Sequence, residues 1–248
     1  NIDMQQPFNA GGGTISHNPP GNFSILVTDN ANFLINARTT GAIILGQAST
    51  AGDDGFGAGF LTFTASQIVL NDAALDLAVA AEINILADTD VRFEGSFQTS
   101  QPLFVNADAD GNGSGAITTD GGTISPGDTL WLNAGSGIDI QTSDLGTIAA
   151  TSSVGDISLQ NSGGNITVNT ADDISGIRAI EGDITLSTDG GVRLATQAAI
   201  EAVEGNITLT TSGGLILEND SSIEANAAGS GETPILLVTN SGFTNLAG

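Results

Sequence analysis

One short motif, met three times at a constant interval, constrains this chain more than anything else in it. Ile177-Arg178-Ala179-Ile180-Glu181-Gly182 returns as Ile200-Glu201-Ala202-Val203-Glu204-Gly205, and again, more loosely, as Ile223-Glu224-Ala225-Asn226. Each copy begins 23 residues after the last, at 177, 200 and 223. The intervening segments keep step. Gly182-Asp183-Ile184-Thr185-Leu186 matches Gly205-Asn206-Ile207-Thr208-Leu209, and Gly190-Gly191-Val192-Arg193-Leu194 matches Gly213-Gly214-Leu215-Ile216-Leu217. A fixed period in this range builds a solenoid, one repeat to a coil.

Each repeat holds three short runs that alternate apolar, polar, apolar, such as Ile184-Thr185-Leu186, Val192-Arg193-Leu194 and Ile200-Glu201-Ala202. In a strand, that alternation sends the outer two side chains to one face and the middle one to the other. Between the runs lie Gly, Asn, Asp and Ser, which turn a corner in two or three residues. The spacing therefore predicts an all-β parallel β-helix, about three short strands to a coil, with aliphatic residues of successive coils stacked about 4.8 Å apart inside it. Each enclosed aliphatic side chain contributes roughly 1.5–3 kcal/mol. The Leu/Asn consensus of leucine-rich repeats, which share the period range, is absent.

The repeats resemble those of filamentous-haemagglutinin-like bacterial surface proteins. The resemblance is carried by Gly-Asp-Ile-Ser-Leu at 155–159, Gly-Asn-Ile-Thr-Val at 164–168, Gly-Asp-Ile-Thr-Leu at 182–186 and Gly-Asn-Ile-Thr-Leu at 205–209, and it covers residues 130–240 better than the first half. It implies a secreted right-handed β-helix used for attachment or for building the cell surface.

The chain has 248 residues, which about ten coils of this period would use in a rod on the order of 50 Å. Residues 1–22 read as an irregular lead-in or cap, 23–129 as less regular coils rich in Phe, and 130–248 as regular coils. These form one continuous elongated domain, expected to belong to a longer protein. Of ten Phe, only Phe243 lies beyond Phe104, so a wider or less regular cross-section is expected near the N-terminus. The opening Asn1-Ile2-Asp3-Met4 has neither the basic start nor the apolar core of a signal peptide, and no run approaches a membrane span.

The formal charge of −24 reflects a scarcity of base, since Lys and Arg together number 4. Nucleic acid and anionic membrane surfaces are thus disfavoured as partners, and divalent cations are the natural counter-charge. Acids also keep a β-rich surface soluble and blunt its edges. With no cysteine, there is no disulfide and no Cys-based metal or redox site.

The sharpest chemical motif is Asp108-Ala109-Asp110-Gly111-Asn112-Gly113-Ser114. It fits D-x-[DN]-x-[DN]-G, the spacing that curls alternate oxygens around Ca²⁺. The twelfth position is Thr119 in place of the usual Glu, with Asp120 beside it, so the candidate ligands are Asp108, Asp110, Asn112, Ser114 and Asp120. The competing reading, which the missing Glu favours, is a metal-free turn rich in Asx and Gly. Asp53-Asp54 and the lone His17 read as loop residues. Trp131, between Leu130 and Leu132, is expected to face outward; such a Trp can stack on a sugar, but without a second aromatic on its face it reads as packed beneath a loop. Ile216 is expected on the outer face where Arg193 sits one coil earlier. Asp172-Asp173 reads as a longer corner, and the stretch from Ile157 to Ile166 as carrying an extra corner residue.

These features favour a non-enzymatic secreted surface protein, adhesin-like or a component of a surface layer or filament. Its expected partners are other copies or further coils end to end, and cell-surface glycans or proteins. The alternatives are a carbohydrate-active β-helix enzyme, a glycosidase rather than a lyase because base is scarce, or a glycan-binding module. No residue is singled out as catalytic.

Overall fold

The computed structural model describes residues 82–171, 174–226 and 234–245 without a break, and before residue 82 the segments 2–3, 8–9, 15–17, 25–26, 33–46, 49–50, 60–71 and 73–75. Asp53-Asp54 and Asp172-Asp173 lie outside the described residues, as does the side chain of His17, whose backbone ends the strand Ile15–His17 in place of the loop expected.

The fold is a parallel β-solenoid with a period of about 23 residues, and no helix occurs among the described residues. Strands of successive coils pair in parallel, and the register puts like on like. Ile15, Ile43, Ile68, Val91, Ile117, Ile138, Ile157, Ile184, Ile207 and Ile235 form one unbroken column. β-Branched side chains suit such a column, since they favour extended backbone and pack flat against the same residue above and below. Parallel columns are made by Leu159, Leu186 and Leu209 and by Ile177 and Ile200, all buried. The intervening Thr185, Arg178 and Arg193 point out.

The coil does not keep one cross-section. In the first half, three separate strands make a turn, as in Val91–Phe93, Phe97–Thr99 and Leu103–Asn106. The next coil but one has two long ones, Gly137–Ser143 and Thr147–Val154. In the second half the turn is again three-stranded, with its corners moved: Thr147–Val154 pairs at its start with Ile166–Val168 and further along with Ile177–Glu181. Coil length changes accordingly, from 19 residues between Thr142 and Asn161 to 27 between Asn161 and Thr188.

Phenylalanine fills the core of the first half. Phe63, Phe93 and Phe97 are wholly buried, and the rings of Phe93 and Phe97 meet edge to face at 5.5 Å. The column that holds Phe97 continues through Ile124, Thr142, Asn161, Thr188 and Thr211, so it turns from apolar to polar as the corner tightens. Buried polar groups need partners, and these have them. Asn161 Oδ1 accepts from Thr142 Oγ1 at 3.0 Å and from the Leu145 N–H at 3.2 Å, while its Nδ2 donates to Thr188 Oγ1 at 3.3 Å and to the Gly163 carbonyl.

The expected extra corner residue is present after Ser162. Asn161 and Ile166 pair with Thr188 and Val192, and Gly163 and Gly164 take up the surplus with φ of +84° and +62°. One coil on, a Cβ at Gly190 would lie 1.6 Å from the Gly164 carbonyl oxygen, so this corner closes only with glycine. At the Asp172-Asp173 interruption, Thr170–Ala171 and Ile174–Ser175 pair antiparallel as a small hairpin.

Truncating the aliphatic stack tests this inward-outward assignment. Ile184→Ala is expected to lower the unfolding free energy by about 2–5 kcal/mol, and Thr185→Ala by no more than about 0.5 kcal/mol, in urea titrations. Equal effects would show that the two side chains do not lie on opposite faces.

Candidate functional site

With the interior filled by aliphatic side chains, any chemistry belongs to the outer faces and corners. The recurring Gly-Asp/Asn-Ile motif occupies one line of corners, and its carboxylate or amide has a structural task there. Asp156 Oδ1 accepts from the Asp183 N–H at 2.8 Å, and Asp183 Oδ1 accepts from the Asn206 N–H at 2.7 Å and from Asn206 Nδ2 at 3.1 Å. At another corner Asn165 Oδ1 accepts from the Gly191 N–H at 2.7 Å. Each Asx reaches one coil forward and satisfies an N–H that the strand ladder leaves free. The line stops at Asn206, whose Oδ1 is buried with no partner among the described residues. Ile207 pairs with Ile235, so the residue stacked on Asn206 is Pro234, which has no N–H to give.

Outward charges on the regular coils are likewise tied between coils. Arg178 Nε donates to Glu201 at 2.7 Å, and Arg193 Nε to Glu218 at 2.9 Å. Glu218 also accepts from the Thr196 N–H at 3.1 Å, and the hydrogen bond from Arg193 is the main cause that holds its carboxyl below the usual 4.5. Glu201 and Glu224 are neighbours in one outward column, beside a shallow depression that Val203, Asn226 and Ile235 also line. A glycosidase needs two carboxyl groups facing each other across the scissile bond. These two project side by side from one sheet face, and the first is engaged by Arg178.

The loop after strand Leu103–Asn106 gathers four of the five residues proposed for Ca²⁺. The Gly113 N–H donates to Asp108 Oδ1 at 2.9 Å, the Ser114 N–H to Asn112 Oδ1 at 2.8 Å, and Asn112 Nδ2 to Asp110 Oδ2 at 2.7 Å. Gly113, at the sixth position of the motif, has φ of +77° and lets the chain double back on Asp108. The fifth residue is placed elsewhere. Asp120 lies at the far end of strand Ala116–Thr119, on the order of 13 Å along the chain direction. There it faces Arg92 Nη2 at 3.5 Å, and Arg92 also meets Glu94 at 3.0 Å. No group of three or more His, Cys, Asp or Glu that could hold a metal occurs among the described residues.

Trp131 faces outward, its neighbours Leu130 and Leu132 being wholly buried, and the ring is half-buried. It has a second aromatic beside it, which the sequence reading lacked. Phe104 is its direct register partner one coil earlier, flanked by the buried Leu103 and Val105. The signal was present in Leu103-Phe104-Val105-Asn106 and Leu130-Trp131-Leu132-Asn133, two matching tetrapeptides. Their separation, 27 residues as between Asn106 and Asn133, is not the period of the clean repeats, so the match is easily passed over. One coil further the column reaches Ala149, 0 % exposed although it points outward. Strand Ile174–Ser175 of the hairpin packs on the strand that carries Ala149. Trp131 Nε1 is shielded from water and has no acceptor among the described residues. An unsatisfied donor of this kind costs about 1–3 kcal/mol.

Compared with protein-family models, with curated proteins and with solved structures, the chain matches none.

Proposed function

We propose that this chain is a section of a secreted bacterial surface protein, adhesin-like or a component of a surface layer or filament, which works by presenting a long rigid exterior and not by catalysis. The observation that carries this reading is the use of the outer polar groups. Asp156, Asp183, Asn165, Glu201 and Glu218 bond one coil to the next. Side chains held in this way build a rod. The likeness of the Gly-Asp/Asn-Ile repeats to filamentous-haemagglutinin-like surface proteins supports the same reading. The acidic exterior, at −24 overall, disfavours nucleic acid and anionic membranes as partners.

Support for contacts with other copies or further coils comes from the last described coil. Leu237 and Phe243 continue the inward columns of Leu209 and Leu215, yet they are 41 % and 53 % exposed. Inward positions left open in this way fit a further coil stacked on them.

An antibody raised against this chain tests the location. It is expected to label intact cells that make the protein, with the label lost on brief external proteolysis. Label that appears only after the envelope is permeabilised would contradict the reading.

Calcium belongs to this proposal as a stabiliser of the 108–114 loop, held by oxygens of Asp108, Asp110, Asn112 and Ser114, with Asp120 left to Arg92. The positive φ of Gly113 supports it, because that turn is what the sixth position of the motif must make. Chelation is expected to lower the melting temperature of the wild type and leave Asp108→Asn unmoved. A wild-type curve indifferent to chelator removes the ion from the loop.

A further inference from the structure

We propose that Phe104 and Trp131 form a binding shelf for a neutral glycan chain on the outer face of the solenoid. The two residues are register partners in adjacent coils, so their rings project from one sheet face about 4.8 Å apart along the axis. Both rings are only half-buried, while the residues on either side of each are wholly buried. Each residue is therefore held from both sides, and part of it stays accessible to solvent. The C–H faces of pyranose rings stack on aromatic rings in this way, and an extended glycan advances along the axis by a distance close to one coil per sugar.

The surroundings supply the polar half of such a site. Asn84 lies beyond Phe104 in the same column, and Asn106 and Asn133 stand side by side in the adjacent outward column, joined by one bond of 3.2 Å. Asn106 Oδ1 also accepts from the Asp108 N–H at 2.8 Å, so the capacity left for sugar hydroxyls lies in the Asn106 amide N–H groups and in the Asn133 Oδ1. Trp131 Nε1, shielded from water, takes no part in this polar rim. At the other end the shelf is closed where Ala149 is covered and the hairpin packs on its strand. A bound chain would thus run from that wall towards Phe104 and Asn84.

Charge decides the class of glycan. The outward residues around Trp131, namely Thr129, Asn133, Thr147 and Thr151, carry no ionisable group, and Glu82, two residues before Asn84 on the same strand face, is an acid. Uronate or sulfate groups would find no cation on this shelf and would approach a body of net charge −24. A neutral hexose polymer meets neither obstacle.

The inference deepens the surface-protein reading by naming what the surface holds, and the two can fail separately. Trp131 is the only tryptophan and there is no tyrosine, so intrinsic fluorescence reports this shelf alone. Titration of the full chain with cellohexaose, maltohexaose and mannohexaose is expected to give a saturable change in emission with at least one of them, and none with hexagalacturonic acid. Phe104→Leu, which keeps an apolar side chain of similar reach, is expected to melt as the wild type does and to bind that sugar about tenfold more weakly, equivalent to about 1.4 kcal/mol. No change with any neutral hexasaccharide, equal binding of the uronate, or undiminished binding by Phe104→Leu would overturn the shelf. Surface labelling by antibody would stand in each of those cases.

Discussion

Backbone hydrogen bonds between parallel strands of successive coils set the spacing on which every other contact here depends. Once coils are held at about 4.8 Å, a side chain has its counterpart in the next coil as its nearest neighbour. The interior must then be columns of residues that pack on themselves. The line of Ile and Val from Ile15 to Ile235 is the fullest case. The polar line from Thr142 to Thr211 shows the same constraint at a corner, where a buried hydroxyl or amide is tolerated because its partner arrives from the next coil at bonding distance.

The same spacing gives the acidic residues their work. An Asx at a corner finds the N–H of the following coil within reach, so Asp156, Asp183 and Asn165 stitch corners much as the ladder stitches strands. Pro234 shows the rule by breaking it, since it offers no N–H and leaves Asn206 Oδ1 without a partner among the described residues. Part of the large negative charge is therefore a by-product of corner bonding. Exposed acids such as Asp139 and Glu224 add charge that restrains association at the sheet edges.

How much of this was legible depended on the regularity of the coil. Between Ile177 and Gly229 the period is constant, and the parallel register, the burial of Ile184 and Ile207 and the outward position of Ile216 all follow from alternation and spacing. Where coil length shifts between 19 and 27 residues, alignment by period fails although the strands themselves are visible. Phe104 beside Trp131 was hidden for that reason, as was the moving corner that turns the Phe97 column into a Thr and Asn column. In the 108–114 loop, sequence spacing placed Asp108, Asp110, Asn112 and Ser114 together because all lie within one turn of chain. Asp120 escaped because a strand intervenes, and strand direction, which sequence distance ignores, carries it to Arg92.

The corners that bind coils together exist only if Ile184 lies on Ile207 in parallel register. Spin labels on Thr185→Cys and Thr208→Cys test this most directly, because these outward partners stack in adjacent coils and the native chain has no cysteine to compete for label. The doubly labelled protein is predicted to show strong dipolar broadening that neither single variant shows. A double-label spectrum equal to the sum of the two singles would mean that the two positions are not neighbours, and the stacked coil would have to be abandoned.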